Sequence, residues 1–298
     1  MDGVINILKP TGMTSHDVVG FIRKNFKIKK VGHTGTLDPN AAGVLPICIG
    51  KGTKLSQYIM EKEKSYRCEL VFGKTTDTLD SYGQIVSEKI IDPIEFYDIE
   101  KTVKTFIGQI SQIPPAYSAI KVNGVKLYEK ARKGIEINNI PIRTVKIYDI
   151  NIISYEFPRL MMDIRCSSGT YIRSLVRDIG EKLESPSYMS LLIRTKSGEF
   201  KIEEALAIEE LSEDILNEKL TSLKDIKLNM KDITLKSSAS VSYINGSYVS
   251  QKGIKSNLDE YQAEVNVRVF DELGSFIGIG KIREKDSVKY LKGDTLLI

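Results

Sequence analysis

The run Val31-Gly32-His33-Thr34-Gly35-Thr36-Leu37-Asp38-Pro39, continuing to Gly43-Val44-Leu45-Pro46, constrains this chain more than any other stretch. Asp38 stands directly before a proline, whose ring excludes the helical region for its predecessor, so the carboxylate rides on extended backbone. Gly32, Gly35 and Gly43 permit positive φ or close approach by a ligand. The stretch is therefore a polar loop that holds Asp38 out, with His33 five residues earlier and apolar, strand-like residues following. Taken alone, an aspartate before proline is also an ordinary turn residue.

With 298 residues, 41% of them apolar, the chain has ample core for one large domain and one small one. The N-terminus, Met1-Asp2-Gly3-Val4, lacks a basic segment followed by an apolar one, so no signal peptide is expected. No stretch approaches the roughly 18 uncharged residues of a membrane span. Cys48, Cys68 and Cys166 are far apart and lack metal-ligand spacing, which fits reduced, buried thiols in the cytoplasm. With only His16 and His33 present, a His-rich zinc site is excluded, and no metal is expected.

The net charge is only +4, but it is segregated. Arg23, Lys24, Lys27, Lys29 and Lys30 immediately precede the Asp38 loop. Between Lys121 and Lys146 stand Lys121, Lys126, Lys130, Arg132, Lys133, Arg143 and Lys146 against two acids, Glu129 and Glu136. From Glu203 to Glu218 there are acids and no base. Any one cluster would pass for a solvated face. Two that frame a candidate catalytic loop, backed by an acidic far side, fit a polyanion-binding surface.

Val4 to Leu8 reads as a strand stopped by Lys9-Pro10-Thr11-Gly12. Ser15 then stands as an N-cap for a helix carrying Val18, Val19, Ile22 and Phe26. Leu55, Tyr58 and Ile59 mark a short helix. Tyr66, Cys68, Leu70 and Phe72 alternate with Arg67, Glu69 and Val71 as a strand. Ile99, Val103, Phe106 and Ile107 predict an amphipathic helix. An Asn123-Gly124 turn precedes a helix-like Val125 to Lys133, closed by Gly134. Two strands, Val145 to Ile153 and Leu160 to Cys166, lead into a helix capped by Thr170. That places Arg173 in the first turn, the wrong end of the dipole for a cation, and a local rule broken in this way points to a site. Near Lys224–Lys231 the pattern changes. Val265, Val267 and Val269, the Asp271-Glu272-Leu273-Gly274 turn and Phe276 to Ile282 then read as a small β-rich unit. Gly280-Lys281 lacks the spacing of a nucleotide-binding loop.

The motif Gly32-His33-Thr34-Gly35-Thr36-Leu37-Asp38-Pro39 resembles the active-site motif of the TruB family of pseudouridine synthases, the branch that modifies the T-loop uridine of tRNA. A competing likeness, of Thr34-Gly35-Thr36-Leu37 to an aspartyl-phosphate motif, fails because Gly32 stands where the nucleophilic carboxylate would be. The family resemblance continues through Leu8-Lys9-Pro10-x-Gly12, Lys64-x-Tyr66-Arg67 and Gln112-x-Pro114-Pro115-x-Tyr117-Ser118-Ala119. It ends with Gly169-Thr170-Tyr171-Ile172-Arg173, so it covers roughly residues 3–200 in order.

The resemblance implies an α/β (α+β) fold, with a mixed-sheet catalytic domain over 1–228. It implies a thumb insertion over about 112–143, closing on RNA through Lys121, Lys126, Lys130, Arg132 and Lys133, and a PUA-like domain over 229–298. It makes Asp38 the catalytic carboxylate, with Arg173 as its ion-pair partner. Tyr66 handles the proton of the target base, and His33 takes the place of the extruded base. Tyr171 and Leu192 line the uridine pocket and Lys9 shapes its wall; separately, the polar turn of Thr76, Asp77, Thr78, Asp80 and Gly83 offers Asp80 as a further carboxylate behind it. Beside Arg173, Asp38 is expected to stay ionised at neutral pH. The implied reaction converts uridine to pseudouridine at position 55 of tRNA, without cofactor or metal. The implied protein is a stand-alone cytoplasmic monomer that also helps tRNA fold.

Overall fold

The computed structural model describes residues 1–297 apart from 119, 123, 132–134 and 136–139, and the side chains of 121, 122 and 126 are likewise not described. Its backbone is an eleven-stranded mixed sheet followed by a five-stranded one.

The chain enters on β1 (Gly3–Lys9), a run with almost every residue buried. Helix α1 (Ser15–Asn25) follows and buries Val18, Val19 and Ile22, with Phe26 packed beside them. Its N-cap is Thr14, not Ser15: Thr14 accepts from the Asp17 backbone while the Asp17 carboxylate accepts from Thr14, a reciprocal capping box. Ser15 faces inward instead, where its hydroxyl donates to the Leu37 carbonyl and accepts from the Leu37 N–H.

The short β2 (Val31–His33) and β3 (Ala42–Ile49) form an antiparallel pair, with the Asp38 loop as their connection. A 3-10 turn (Gly50–Leu55), α2 (Ser56–Met60) and β4 (Lys64–Phe72) come next. The hairpin of β5 (Lys74–Thr76) and β6 (Ile85–Glu88) leads to α3 (Phe96–Lys104) and β7 (Gly108–Gln112). The predicted amphipathic helix thus ends at Lys104; Phe106 still packs on the core, whereas Ile107 is exposed.

A small hairpin, β8 (Lys121–Val122) with β9 (Val125–Lys126), runs into a one-turn helix α4 (Leu127–Ala131). The expected helix from Val125 therefore begins two residues later, because Val125 and Lys126 pair as strand; its predicted end at Lys133 and Gly134 lies outside the described residues. Two long strands, β10 (Arg143–Glu156) and β11 (Arg159–Cys166), lead to α5 (Ile172–Lys182) and β12 (Ser187–Ser197).

Strand order in the large sheet runs Leu206–Ala207, β1, β3, β12, β4, β11, β10, β7. Most pairs are antiparallel, but β12 runs parallel to β3. Leu206–Ala207 likewise runs parallel to β1, and the β3–β12 contact brings β12 beside the Asp38 loop. Helices α1 and α5 cover one face, and Ile22, Leu45, Leu70, Ile147, Leu175 and Ile179 belong to the core beneath them.

The second sheet has the order Asp232–Thr234, Asn266–Phe270, Phe276–Lys285, Val288–Leu296, Val249–Ser250. Val267 and Val269 point inward, as the alternation predicts. Tyr243, Val269, Ile282 and Leu291 sit in its own core. A third apolar cluster, including Val4, Cys48 and Leu55 with Ile226, Leu228 and Ile279, joins the two sheets.

Candidate active site

The Asp38 loop is fastened at every level. Thr34, fully buried, donates its N–H to the Pro46 carbonyl (3.1 Å). Leu37 is plugged into the core and clasped by Ser15. Gly12 N–H and the Lys9 ammonium both donate to the Pro39 carbonyl (2.9 and 3.2 Å). Asp38 is left as the loop's outward carboxylate, in a cleft lined by Asn40, Asp80, Tyr82, Met189 and Leu192.

Arg173 meets it from the start of α5. Its Nε lies 3.0 Å from Asp38 Oδ2 and its Nη1 3.6 Å from Asp80 Oδ2. Nη1 also donates to the Thr78 carbonyl and Nη2 to the Tyr117 carbonyl, both at 2.9 Å. With 5% of its side chain exposed, Arg173 is a buried fork with every nitrogen engaged. The N-cap of α5 is Tyr171 rather than Thr170, whose hydroxyl instead donates back to the Ser167 carbonyl. Tyr171 is clasped by the buried Gln112, whose amide accepts from Tyr171 N–H and donates to the Tyr171 carbonyl. Arg173 remains in the first turn, which holds no acid of its own. Asp38 and Asp80 supply the negative charge from other elements.

Asp80 is itself fixed: Oδ1 accepts from the Thr78 hydroxyl (2.7 Å) and the Tyr82 N–H (3.1 Å). Burial pushes the Asp38 carboxyl above the usual carboxylate range, and the neighbouring Asp80 adds to this; Arg173 and Lys9 pull it back. The sequence expectation, in which the guanidinium alone sets the ionisation, omitted the cost of desolvating the carboxylate. Its side chain still shows 36% of its surface to the cleft, so it remains within reach of a ligand.

Tyr66 sits early in β4, its hydroxyl deep beside Arg194 and within the field of Asp38. Burial raises its pKa, with Arg194 opposing. Tyr171 follows the same rule, raised by burial with Arg143 opposing. Leu192 lines the cleft and is also core, so both readings of it hold. His33 stacks edge-on to His16, ring centroids 5.5 Å apart, and burial brings its pKa down to about 4. It is a neutral ring at neutral pH.

Lys9 is fully buried and donates to the carbonyls of Pro10, Met13 and Pro39. Those three bonds use every N–H of an ammonium. It builds the wall of the cleft rather than offering a donor to a ligand. Of the thumb cations, Lys130 lies half-buried on α4, while Arg132, Lys133 and the side chains of Lys121 and Lys126 are outside the described residues.

The sequence matches the TruB family pseudouridylate synthase (N terminal domain) over residues 23–172. The chain belongs to the TruB family. It is 47% identical over 96% of its length to a protein from Caldanaerobacter subterraneus subsp. tengcongensis named tRNA pseudouridine synthase B, of which 98% is covered. A protein of the same name from Alkaliphilus oremlandii is 45% identical, with 98% and 97% covered. Among solved structures, one titled a Cbf5-Nop10-Gar1 complex matches with a TM-score of 0.76 and 26% identity. That alignment covers 99% of this chain and 85% of the other. The large mixed sheet with an appended β-rich sheet is thus the architecture of TruB-type pseudouridine synthases. Arg194, which sequence reading passed over, is the most deeply buried charged group at this family's motif apart from Lys9. One signal for it existed: it stands two residues after Leu192 on an alternating strand, hence on the same inward face.

Proposed function

We propose that this protein isomerises uridine to pseudouridine in the T-loop of tRNA, at position 55, with Asp38 as the catalytic carboxylate. The observation that carries this is the Asp38–Arg173–Asp80 cluster at a cleft bordered by Tyr82, Met189 and Leu192, with the Tyr66 hydroxyl buried within the field of Asp38. Breaking the glycosidic bond, turning the uracil and joining C5 to the sugar need a fixed carboxylate, and an arginine with every nitrogen engaged supplies that fixity. The target base must leave its stack, at roughly a few kcal/mol. His33, a neutral ring at the end of β2 where the Asp38 loop begins, would fill the vacated place, with Tyr66, Tyr171 and Leu192 around the flipped uracil.

Lys9 would shape the wall. Lys121, Lys126, Lys130, Arg132 and Lys133 would bind phosphates from the thumb over about 112–143. In this reading residues 1–228 form the catalytic domain and 229–298 a PUA-like RNA-binding domain. The protein works in the cytoplasm, as a monomer, without an obligate protein partner, metal or cofactor. Among the described residues no helix is long and apolar enough to cross a membrane.

The test is to incubate the protein with an unmodified tRNA transcript and map pseudouridine by nucleotide. A single new pseudouridine at position 55 is the expected product. No product, or product elsewhere only, would overturn the reading.

A further inference from the structure

We infer, on the proposed reading of the cleft, that Arg194 is a positioning residue for the reaction: it holds the Tyr66 hydroxyl and the backbone of the Asp38 loop in one frame. The register places Arg194 directly across from Tyr66 where β12 pairs with β4. Residues paired this way project from one face of the sheet and their side chains touch. Arg194 is 1% exposed. Its Nε donates to the Val44 carbonyl at 2.7 Å and its Nη2 to the Gly35 carbonyl at 3.2 Å, on either side of Asp38. The guanidinium also faces the Tyr66 hydroxyl.

The backbone of Arg194 is equally committed. Gly43 has φ +117°, and a Cβ there would lie 2.3 Å from the Arg194 carbonyl oxygen and 2.6 Å from its nitrogen. Only glycine lets β3 and β12 approach this closely. One residue therefore grips the loop through its side chain at Gly35 and Val44, and through its main chain at Gly43.

A core has no use for such a residue on packing grounds. A buried guanidinium is costly unless paired, and among the described residues Arg194 has no carboxylate within ion-pair distance. The ionisable groups around it are Tyr66 and Lys64 on β4, His33 on β2, Lys9 on β1, and Cys166 on β11 beside Lys64. Burial, with Arg194 contributing, takes Lys64 to about 7, Lys9 to about 8 and His33 to about 4. Arg194 holds its proton throughout the physiological range, as a guanidinium does, whereas Lys64 titrates inside that range and Lys9 at its upper edge.

A guanidinium donating to a phenol oxygen orients its lone pair and favours the anion. When C5 bonds to the sugar, its proton must leave. As the Tyr66 oxygen takes this proton the phenol passes its own hydroxyl proton on to N1, and the C5–H electron pair restores the C5=C6 double bond, so the isomerisation balances. Arg194 touches neither uridine nor sugar in this scheme. It sets where the Tyr66 oxygen sits relative to Asp38.

The experiment uses the full-length protein. Arg194→Gln removes the charge and Arg194→Lys keeps it without the forked reach. Three quantities are read: the single-turnover rate of pseudouridine formation against pH, the tRNA Kd, and the ¹³Cζ resonance of Tyr66, assigned by its loss in Tyr66→Phe. We expect Arg194→Gln to lose about 100-fold in rate with Kd within about threefold, the signature of an interaction used after binding. Its Tyr66 resonance should titrate at higher pH, and Arg194→Lys should recover part of the rate.

An unmoved Tyr66 titration, or a rate within about threefold of wild type, would overturn the proposal. If Arg194→Gln does not fold, a wild-type rate in Arg194→Lys counts against it equally. Wild-type protein that makes no pseudouridine would fail the functional reading, while the Tyr66 resonance would still decide whether Arg194 is coupled to it.

Discussion

Two arginine–carboxylate pairs in this molecule behave in opposite ways. In the C-terminal sheet Glu264 pairs with Arg283 and, at 2.9 Å, with Lys281, all partly open to water. Hydrogen bonds from those two cations pull its pKa down to about 2. In the cleft Asp38 pairs with Arg173 at 3.0 Å, yet its pKa goes up. The partner chemistry is the same; solvation differs. Where water still reaches the carboxylate, the cation decides. Where the surrounding protein takes most of its hydration, as in the cleft, that loss outweighs one guanidinium.

The consequences for stability have opposite signs. Glu264, depressed, contributes stability above its unfolded pKa that is lost as pH falls toward its folded value of about 2. Asp38, raised, withdraws stability as pH climbs from the ordinary carboxylate range through its folded value. The cleft keeps a carboxylate at a cost, which is common for groups retained for chemistry rather than for folding.

The harshest way to break the comparison is Asp38→Asn. A near-isosteric amide keeps the loop but cannot act as a nucleophile, so isomerisation should be abolished while tRNA affinity stays within several-fold. Turnover by a preparation free of wild-type enzyme would remove Asp38 from the chemistry.

Next comes Arg173→Ala, expected to lose orders of magnitude in rate, with Arg173→Lys rescuing only partly because an ammonium lacks the fork. Both should move the acid limb of the rate profile to higher pH, since the opposing cation is removed or weakened. Wild type should already lose activity, as pH falls, above the range of an ordinary aspartate. Rate profiles between pH 4 and 8 measure both effects, and an unshifted limb in Arg173→Ala would detach the arginine from the ionisation of Asp38.

A milder effect is expected from neutralising Lys126, Lys130, Arg132 and Lys133 together. Binding should weaken, and the log–log salt slope should fall by roughly 0.7–0.9 for each phosphate that is no longer neutralised. Filter binding across a salt series reads this directly, and an unchanged slope would leave these cations as a solvated face.

Glu264→Gln should be mildest. Catalysis should be unaltered, and the urea midpoint should drop slightly at pH 7. That difference should shrink steeply as pH falls toward 2, where about half of the wild-type Glu264 is protonated. A difference that persists undiminished at pH 2 would mean that packing, not charge, accounts for the destabilisation.

Much of the site was readable as residues and little of it as environment. Asp38 before proline and Arg173 at the wrong helix end are both visible in one dimension, because proline sterics and the helix dipole are local. The N-caps expected at Ser15 and Thr170 each lie one residue off, since the choice between neighbouring residues rests on which one the core claims. Ser15 turns inward to Leu37, and Thr170 turns back to Ser167. Lys9 reads as a wall residue; only its three carbonyl partners show that its ammonium has nothing left to offer. Arg194 looks like any strand cation.

The sequence by itself determined the loop that carries Asp38, the alternating strands, the basic and acidic segregation and the family, because each is written in neighbouring residues or in a motif. The tertiary structure alone decided that β12 lies parallel to β3, and so that Arg194 reaches Gly35, Val44 and Tyr66 at once. It also decided the direction in which the Asp38 carboxyl shifts. Both depend on how much water is displaced and on which distant strands meet, and those are properties of the packed chain that no local stretch encodes.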